Sequence, residues 1–209
     1  MRIAREGYPW ILAAAILSLL AFSFGWIGMG GVLAFFAVVF AGFFRDPERT
    51  PPVGEGLVLA PADGKVVAIV KDEEDGKDAE GGATRVSIFL SLLDVHVNRA
   101  PIQGLVEKVQ YQPGKFHAAF REDASQHNEQ NAVRLVDTTG KSLNIVQIAG
   151  LLARRIICYV KEGETLERGQ RFGLIMFGSR VDLYMPPGAT VEVAKGQRVR
   201  AGETIIGRL

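Results

Sequence analysis

The pair Gly178-Ser179, which lies 30 residues before the C-terminus, is the feature of this sequence best suited to unusual chemistry. It follows an apolar run that ends at Phe177 and precedes an alternating segment that begins at Val181. A serine directly after a glycine in this setting fits a site where the backbone cuts itself and the serine becomes a carbonyl cofactor. Because Gly-Ser is also a common turn dipeptide, the pair taken alone favours a turn.

Two other residues have side chains suited to acid–base chemistry. Asp63 lies between two apolar runs and is followed by glycine, a pattern that also fits a hairpin turn. His96 ends an apolar run, where it fits either a general base or a core histidine held by a hydrogen bond. His117 and His127 lie in polar sequence and are predicted to face solvent. The three histidines lack the spacing typical of zinc ligands, so no metal site is predicted.

An uncharged stretch from Gly7 to Phe44 precedes these residues. It exceeds the roughly 20 residues of a single membrane span and is interrupted by the glycine-rich segment Gly25–Gly31. The pattern predicts a helical hairpin, approximately Pro9–Phe24 and Val32–Phe44, within a membrane-associated domain of residues 1–44. The run is too long for a signal peptide. The hairpin fits either two tilted spans or entry into one leaflet, and a buried core hairpin is the remaining alternative.

The distribution of charge predicts the orientation of this hairpin, and it argues against nucleic acid as a partner. Arg2 and Arg5 precede it and Arg45 and Arg49 follow it, so both ends are predicted to face the cytoplasm at the inner membrane. Of the 24 basic and 23 acidic residues, only Arg2, Arg5 and Glu6 precede residue 45, which leaves 22 of each sign. A neutral domain argues against nucleic acid, which requires a basic face.

The segment Arg45–Pro52 is charged and rich in proline, and it begins a second domain, residues 45–209. Short β-branched and apolar runs separated by turn residues predict that this domain is mainly β. Lys71–Ala83 is predicted to be a solvated loop. The predicted strands are Leu57–Ala60, Val66–Val70, Arg85–Leu90, Leu105–Tyr111, Ala132–Val136, Ser142–Ile148, Ile156–Val160, Phe172–Phe177, Val181–Met185 and Thr190–Val193.

The C-terminal tail predicts the type of β architecture. Gly188–Gly207 alternates short strands with glycine turns and resembles the barrel-sandwich folds of biotinyl and lipoyl carrier domains. Lys195 lacks the flanking residues of a modified carrier lysine, so the tail indicates architecture rather than cofactor attachment. The single cysteine, Cys158, excludes an intrachain disulfide and is predicted to be a buried core thiol in a reducing compartment.

Five short segments together point to a family. In chain order they are Phe43–Arg49, Pro61–Val66, Asp94–Pro101, Asn128-Glu129 and Phe177–Arg180. Their order resembles that of the phosphatidylserine decarboxylases, above all the short bacterial and archaeal branch, and the resemblance extends from about Phe43 to the C-terminus. The longer branch has Gly-Ser-Thr where this chain has Gly178-Ser179-Arg180, and a second histidine where this chain has Arg99.

The resemblance implies that the chain is a proenzyme. The Ser179 hydroxyl attacks the Gly178 carbonyl to form an ester, and β-elimination and hydrolysis then leave a pyruvoyl group at position 179. His96 is the implied base and Asp63 the carboxylate that orients it. The products are two chains, residues 1–178 and 179–209, and glycine at 178 tolerates the contorted backbone that the attack needs.

The resemblance also implies the reaction. The pyruvoyl carbonyl forms a Schiff base with the serine amine of phosphatidylserine, accepts the electrons released with carbon dioxide, and yields phosphatidylethanolamine. His96 is the first candidate to reprotonate the α carbon, although one histidine need not serve both steps. Arg180 or Arg99 binds the substrate phosphate or carboxylate, or is a surface or strand-edge charge. The hairpin keeps the site at head-group depth.

Two other functions remain open from the sequence. One is a non-enzymatic, membrane-anchored barrel-sandwich adaptor in which Gly178-Ser179 is a turn. The other is a hydrolase with Ser179, His96 and Asp63 as a triad, although the chain lacks a GxSxG elbow at this serine. The sequence leaves open a diacyl or ether lipid substrate, and a monomer or a homodimer.

Overall fold

A computed structural model describes residues 2–71, 82–115, 127–150, 155–176 and 178–209. The chain divides into two compact units, Met1–Glu48 and Arg49–Leu209. His117, Phe177 and most of the predicted loop Lys71–Ala83 lie outside the described residues.

The first unit is a pair of apolar helices, as predicted. A short 3₁₀ turn at Arg5–Gly7 leads into α1 (Tyr8–Ser23), and α2 (Ile27–Phe43) follows. A two-residue strand before the helices, β1 (Arg2–Ile3), pairs with one after them, β2 (Arg45–Asp46). The helical segment that ends at Ser23 is long and apolar enough to cross a membrane by length and composition, whereas α2 is apolar but shorter.

The turn between these helices is shorter than predicted. Only three residues separate α1 from α2, and Gly28, Gly30 and Gly31 are helical. Gly30 is needed for close packing, because a Cβ there would lie 2.7 Å from the ring of Phe22. Its carbonyl also accepts a hydrogen bond of 2.8 Å from the Ser18 hydroxyl. The glycines therefore let two apolar helices approach closely, a known use of small residues between helices.

The second unit is mainly β, as predicted. Its strands are β3 (Leu57–Leu59), β4 (Gly64–Lys71), β5 (Thr84–Leu90), β6 (Val97–Arg99), β7 (Gly104–Gln112), β8 (Gln130–Val136), β9 (Ser142–Ile148), β10 (Ile156–Cys158), β11 (Thr165–Leu166), β12 (Arg171–Ile175), β13 (Ser179–Met185), β14 (Thr190–Val191), β15 (Arg198–Val199) and β16 (Ile205–Arg208). The largest sheet curls into a half-barrel in the order β11-β7-β8-β9-β13-β5-β4-β15. Two three-stranded sheets have the orders β10-β12-β6 and β14-β16-β3.

Alternating side chains explain why the central strands form a sheet with one face in the core. In β8 and β9 every second residue is buried, including Val133, Leu135, Leu143 and Ile145. Strand geometry sends these side chains to the same face. Complete burial of each such side chain contributes roughly 1.5–3 kcal/mol to folding. The pattern that predicted the strands therefore also provides the energy that holds them.

Four details differ from the sequence predictions. Strand β13 begins at Ser179 rather than at Val181, so the serine belongs to the sheet ladder. Strands β3 and β4 belong to different sheets, and Asp63 is therefore not in a hairpin turn. Cys158 is only partly buried, with its Sγ 3.5 Å from the Val160 carbonyl oxygen. The short strands β6, β11 and β15 were not predicted, because two or three residues show no alternation and depend on their partner strands.

Candidate active site

The candidate site lies at one end of the eight-stranded sheet. In the antiparallel ladder Ser179 at the start of β13 is opposite Leu90 at the end of β5. On the other side of β5, Lys65 near the start of β4 is opposite Phe89. The start of β13, the end of β5 and the start of β4 therefore lie side by side, about 4.8 Å apart from strand to strand.

This arrangement gathers the predicted residues from three distant parts of the sequence. Asp63 directly precedes β4, and His96 directly precedes β6 after a turn that continues β5. Gly178 directly precedes β13, whose first residue is Ser179. The strand order thus brings Gly178-Ser179, His96 and Asp63 to the same end of the second unit.

Ser179 is completely buried, and its hydroxyl has no hydrogen-bond partner among the described residues. The residue before it, Gly178, has a φ of 62°, a left-handed conformation that favours glycine. No atom of the described residues lies within 4 Å of the position that a Gly178 Cβ would take. Glycine is therefore required at 178 for backbone conformation rather than for space.

The ring of His96 is buried and held in a defined tautomer. Its Nδ1 lies 2.9 Å from the backbone carbonyl oxygen of Asp94. Because a carbonyl oxygen only accepts, Nδ1 carries the proton in the neutral ring and Nε2 has the lone pair. The Ile175 N–H donates to the His96 carbonyl at 3.2 Å, which ties this residue to the end of β12, three residues before Gly178.

The strand that follows His96 contacts the sheet face that bears Ser179. Two residues along the extended chain, the Asn98 Oδ1 accepts a hydrogen bond of 2.9 Å from Gln147 Nε2. Gln147 is opposite Val181 in the ladder, so its side chain shares a face with Val181 and with Ser179. Asn98 therefore faces the serine-bearing side of the sheet, and His96 directly precedes the strand that contains it.

The buried Asp63 carboxylate accepts hydrogen bonds from a backbone N–H and from an arginine, and no histidine of the described residues is bonded to it. Its Oδ1 accepts from the Ala201 N–H at 2.8 Å, and its Oδ2 accepts from Arg49 Nη2 at 2.8 Å. Arg49 also donates to Glu203 at 2.9 Å. Burial raises the pKa of Asp63 because desolvation of the carboxylate outweighs these contacts, and the nearby charge of Asp94 raises it further.

Asp94 holds the turn that carries His96, a role that the sequence did not predict. Its Oδ2 accepts hydrogen bonds from the Ser91 N–H and hydroxyl, at 2.9 and 2.6 Å. Its Oδ1 accepts from Arg198. The only sequence signal for this role is the position of Asp94, which is two residues before His96. In this structure the group that orients the imidazole is thus the Asp94 carbonyl, whereas Asp63 lies in the neighbouring ion pair.

Comparison with known proteins identifies the family. A family model described as phosphatidylserine decarboxylase matches residues 36–207. A protein of Burkholderia vietnamiensis is 44% identical over 207 residues, which cover 99% of this chain and 96% of the relative. A protein of Burkholderia mallei is 45% identical and covers 99% of this chain and 95% of its own. Both relatives are described as phosphatidylserine decarboxylase proenzymes. This chain belongs to the phosphatidylserine decarboxylase family.

The resemblance found in the sequence is thereby confirmed. The range that matches the phosphatidylserine decarboxylase family contains Asp63, His96, Gly178 and Ser179. It also contains Asp94, which the structure adds to this group.

Two arginines of this phosphatidylserine decarboxylase family member are buried within the protein. Arg180 donates to both oxygens of Asp182, from Nε at 2.8 Å and from Nη2 at 2.7 Å. Arg99 donates from Nη1 to the Gly169 carbonyl at 3.0 Å. Neither arginine is a surface charge, because both are buried. Arg180 lies in an inner strand, whereas Arg99 lies in β6, an edge strand of its three-stranded sheet. Arg180 already has a bidentate carboxylate partner, which makes it a poorer candidate for substrate phosphate.

Three buried amides connect the sheet face of the site to β6. Asn131 Nδ2 donates to Gln147 Oε1 at 3.0 Å, and Gln147 Nε2 donates to Asn98 Oδ1. All three side chains are buried. A Cβ on Gly173 would lie 2.7 Å from Gln147 Nε2, so this glycine gives the amide its space. The sequence signal for this amide chain is weak: one glutamine inside the apolar run of β9.

Gln147→Leu is expected to destabilise the second unit by about 2–4 kcal/mol, because it leaves the Asn131 donor and the Asn98 acceptor buried without a partner. Urea unfolding followed by far-UV circular dichroism measures this change. The matched control is Gln112→Ala, which removes an amide pair with Gln130 on an exposed surface and is expected to cost less than about 0.5 kcal/mol. Equal stability of the two variants would contradict a structural role for the amide chain.

Proposed function

We propose that this chain is a proenzyme that cleaves itself between Gly178 and Ser179 and then converts phosphatidylserine to phosphatidylethanolamine. The observation that supports the proposal most strongly is the cleavage pair itself. Ser179 has a buried hydroxyl with no hydrogen-bond partner in the described part of the chain, directly after a glycine in a left-handed conformation. In a member of this family, that serine is the expected source of a pyruvoyl group.

Self-cleavage starts with transfer of the Ser179 hydroxyl proton to a base, for which His96 Nε2 is the candidate. The oxygen attacks the Gly178 carbonyl carbon, the peptide C–N bond breaks, and the nitrogen takes a proton, so an ester replaces the amide. Removal of the Ser179 α proton then breaks the Cβ–Oγ bond and releases the Gly178 carboxylate. Water adds to the resulting dehydroalanine, ammonia leaves, and a pyruvoyl group remains at position 179.

The residues around position 179 fit this group. The first residue of β13 is opposite the buried Leu90 of β5, and the next residue, Arg180, lies between β5 and β9. When formed, the pyruvoyl carbonyl supplies an electrophile for the head-group amine and a sink for the electrons released with carbon dioxide. The Asp94 carbonyl holds His96 so that Nε2 has the lone pair of the neutral ring, and once this nitrogen has taken a proton it can return one to the substrate α carbon.

The two products of cleavage are expected to stay together. Residues 179–209 would keep β13 between β5 and β9, β15 beside β4, and β16 beside β3. Two side-chain contacts add to these ladders, from Asp63 to the Ala201 N–H and from Asp94 to Arg198. Separation of the small chain would expose the central strand of the sheet, so it should occur only on unfolding.

The first unit supports attachment to a membrane. One helical segment, Arg5–Ser23, is apolar and long enough to cross a bilayer, and α2 is apolar but shorter. With arginines on both flanks, the unit would hold both ends on the cytoplasmic side of the inner membrane. A lipid substrate gives this attachment a purpose in phospholipid biosynthesis.

The intact mass of the purified protein tests the proposal directly. Two chains, 1–178 and 179–209, are expected, with one ammonia lost and one water gained across the pair. The small chain should resist N-terminal sequencing, because a pyruvoyl group has no amine, and both chains should elute together under native conditions. A single chain of 22.7 kDa that releases no carbon dioxide from phosphatidylserine would favour a non-enzymatic adaptor.

Asp63→Asn is expected to stabilise the uncleaved chain at neutral pH. A carboxyl with a raised folded-state pKa favours the fold when it is protonated, and this contribution is lost as pH rises through the raised pKa. Asparagine does not ionise and so avoids that loss. The gain in stability from Asp63→Asn should therefore grow from acid to neutral pH. Thermal unfolding of Ser179→Ala and Asp63→Asn/Ser179→Ala across this range measures it without interference from cleavage.

The opposite result would be a stability loss for Asp63→Asn that is largest at neutral pH. It would mean that the ion pair with Arg49 outweighs desolvation and that Asp63 is a structural carboxylate. A buried carboxylate that lowers stability while ionised is more typical of a functional site.

A further inference from the structure

The turn after β5 carries two exposed leucines beside the candidate site. Leu92 is 49% exposed and Leu93 is 84% exposed. They follow Leu90, which is opposite Ser179, by only two and three residues. Exposure of adjacent large apolar side chains is unfavourable in water, and next to a site it marks a candidate contact surface.

This turn has a fixed shape that presents the leucines outward. The Asp94 N–H donates to the Ser91 carbonyl at 3.0 Å, which closes the four-residue turn. The Asp94 carboxylate accepts from the Ser91 N–H and hydroxyl, and also from Arg198. Both leucines therefore project from a turn braced at its two ends.

Exposed cations border this turn. Arg198 lies in the edge strand β15 with 69% of its side chain exposed, and its ladder partner is the exposed Lys65. Arg200 is 73% exposed, and Lys195 is also exposed. We call Lys65, Lys195, Arg198 and Arg200 the cationic edge.

The acidic groups near the cationic edge leave it positively charged. Asp63 and Asp94 are buried and accept hydrogen bonds from Arg49 and Arg198 respectively. Glu203 is half-exposed, accepts from Arg49, and lies 4.0 Å from Arg200. The groups that face water here are therefore mainly cationic.

We propose that Leu92 and Leu93 insert into the acyl region of an anionic phospholipid bilayer while the cationic edge contacts lipid phosphates. An apolar tip bordered by lysine and arginine matches the interface of such a bilayer, and each cation near an anionic surface adds to binding. The surface of two leucine side chains is far smaller than the roughly 800 Å² that each partner buries in a stable protein interface, which favours a bilayer over a protein partner. The proposal rests on the function proposed above, whose substrate is itself an anionic lipid.

The consequence for the reaction is access to substrate. The turn that carries Leu92 and Leu93 connects the end of β5, where Leu90 is opposite Ser179, to His96. Insertion of this turn would therefore place the candidate site at the head-group layer. A lipid would then reach the site without leaving the bilayer completely. The turn would therefore matter for phosphatidylserine in a bilayer but not for a dissolved short-chain analogue.

The test compares Leu92→Ser/Leu93→Ser with the unaltered full chain on two substrates. With phosphatidylserine in phosphatidylcholine vesicles, kcat/KM is expected to fall about tenfold, since two leucines no longer gain from apolar burial. With dissolved short-chain phosphatidylserine, kcat/KM should remain unchanged. The matched control is Leu105→Ser, a leucine that is 45% exposed at the opposite end of the sheet, and it should lose nothing on either substrate.

A second measurement does not depend on activity. A fluorescent label sensitive to polarity is attached at Leu93→Cys in a Cys158→Ala background, and Leu105→Cys carries the same label as control. With phosphatidylserine-containing vesicles, the label at 93 should shift its emission to the blue and be quenched by nitroxide-bearing lipids, whereas the label at 105 should not. Lys65→Gln/Lys195→Gln should weaken the dependence of the shift on anionic lipid.

Several results would overturn the proposal. One is an equal loss of kcat/KM on vesicles and on dissolved substrate, which would place the leucines in the site itself. Another is a label at 93 that reports the same polarity with and without vesicles. A change of oligomeric state in the double serine variant would assign the surface to a second copy of the chain. Failure of the unaltered chain to act on either substrate would instead refute the proposed function, and the label would still test docking.

Discussion

Ser179→Ala is expected to abolish both self-cleavage and decarboxylation. The variant lacks the oxygen that would attack the Gly178 carbonyl, and no pyruvoyl group can form without it. It should therefore run as one chain of 22.7 kDa and release no carbon dioxide from phosphatidylserine. The fold should remain, because the hydroxyl makes no hydrogen bond to any described residue and its loss leaves no partner unpaired.

The control for this change is Ser87→Ala. Ser87 is also buried in the same sheet, its hydroxyl also has no hydrogen-bond partner within the described residues, and it lies opposite Asp182 in β13. Loss of this hydroxyl should leave cleavage and activity intact. A Ser179→Ala protein that still splits after Gly178, or still decarboxylates phosphatidylserine, would refute the proposed origin of the pyruvoyl group.

His96→Ala is expected to leave an uncut precursor, with self-cleavage at least about 100-fold slower, the usual contribution of a positioned general base. The tautomer fixed by the Asp94 carbonyl gives Nε2 the lone pair that this role requires. A time course of chain separation on a denaturing gel after synthesis measures the rate. Such a large loss is expected because no water can replace a base at a completely buried serine.

The matched change is His127→Ala, which removes an exposed histidine and should process normally. Normal processing of His96→Ala would exclude His96 from maturation. If that variant were processed but inactive, His96 would serve turnover alone, and another group would have to act as the base for cleavage. These outcomes distinguish a role of His96 in self-cleavage from a role in decarboxylation, a question that the sequence left open.

Long-range strand pairing explains why the site is built from distant segments. Asp63, His96 and Ser179 come together because β4, β5 and β13 are neighbours in one antiparallel sheet. Two of these strands lie in residues 1–178 and one lies in residues 179–209, the two chains that the proposed cleavage would produce. A site assembled across the proposed cleavage point would keep its geometry after the backbone is cut.

Most strands of the fold could be predicted from local pattern. Ser142–Ile148 alternates apolar and polar residues and forms a strand with the predicted bounds. Arg198–Val199 has no such pattern and forms a strand only because Gly64 and Lys65 lie opposite. Glycines misled the prediction between the helices, since Gly30 serves helix packing against Phe22 rather than a turn. Alternation of apolar and polar residues reveals the longer strands, whereas a two-residue strand forms only through pairing with its neighbour and leaves no such pattern in the sequence.

The sequence by itself determined the family, the apolar helix pair and the mainly β domain, and it singled out Gly178-Ser179 as the candidate cleavage pair, because each depends on residue type and order along the chain. Only the tertiary structure decided which groups surround that pair. It joined Asp63 to Arg49, assigned the orientation of His96 to the Asp94 carbonyl, and buried Arg180 against Asp182. Hydrogen-bond partners depend on distances between strands that are far apart in sequence, and no local pattern encodes those distances.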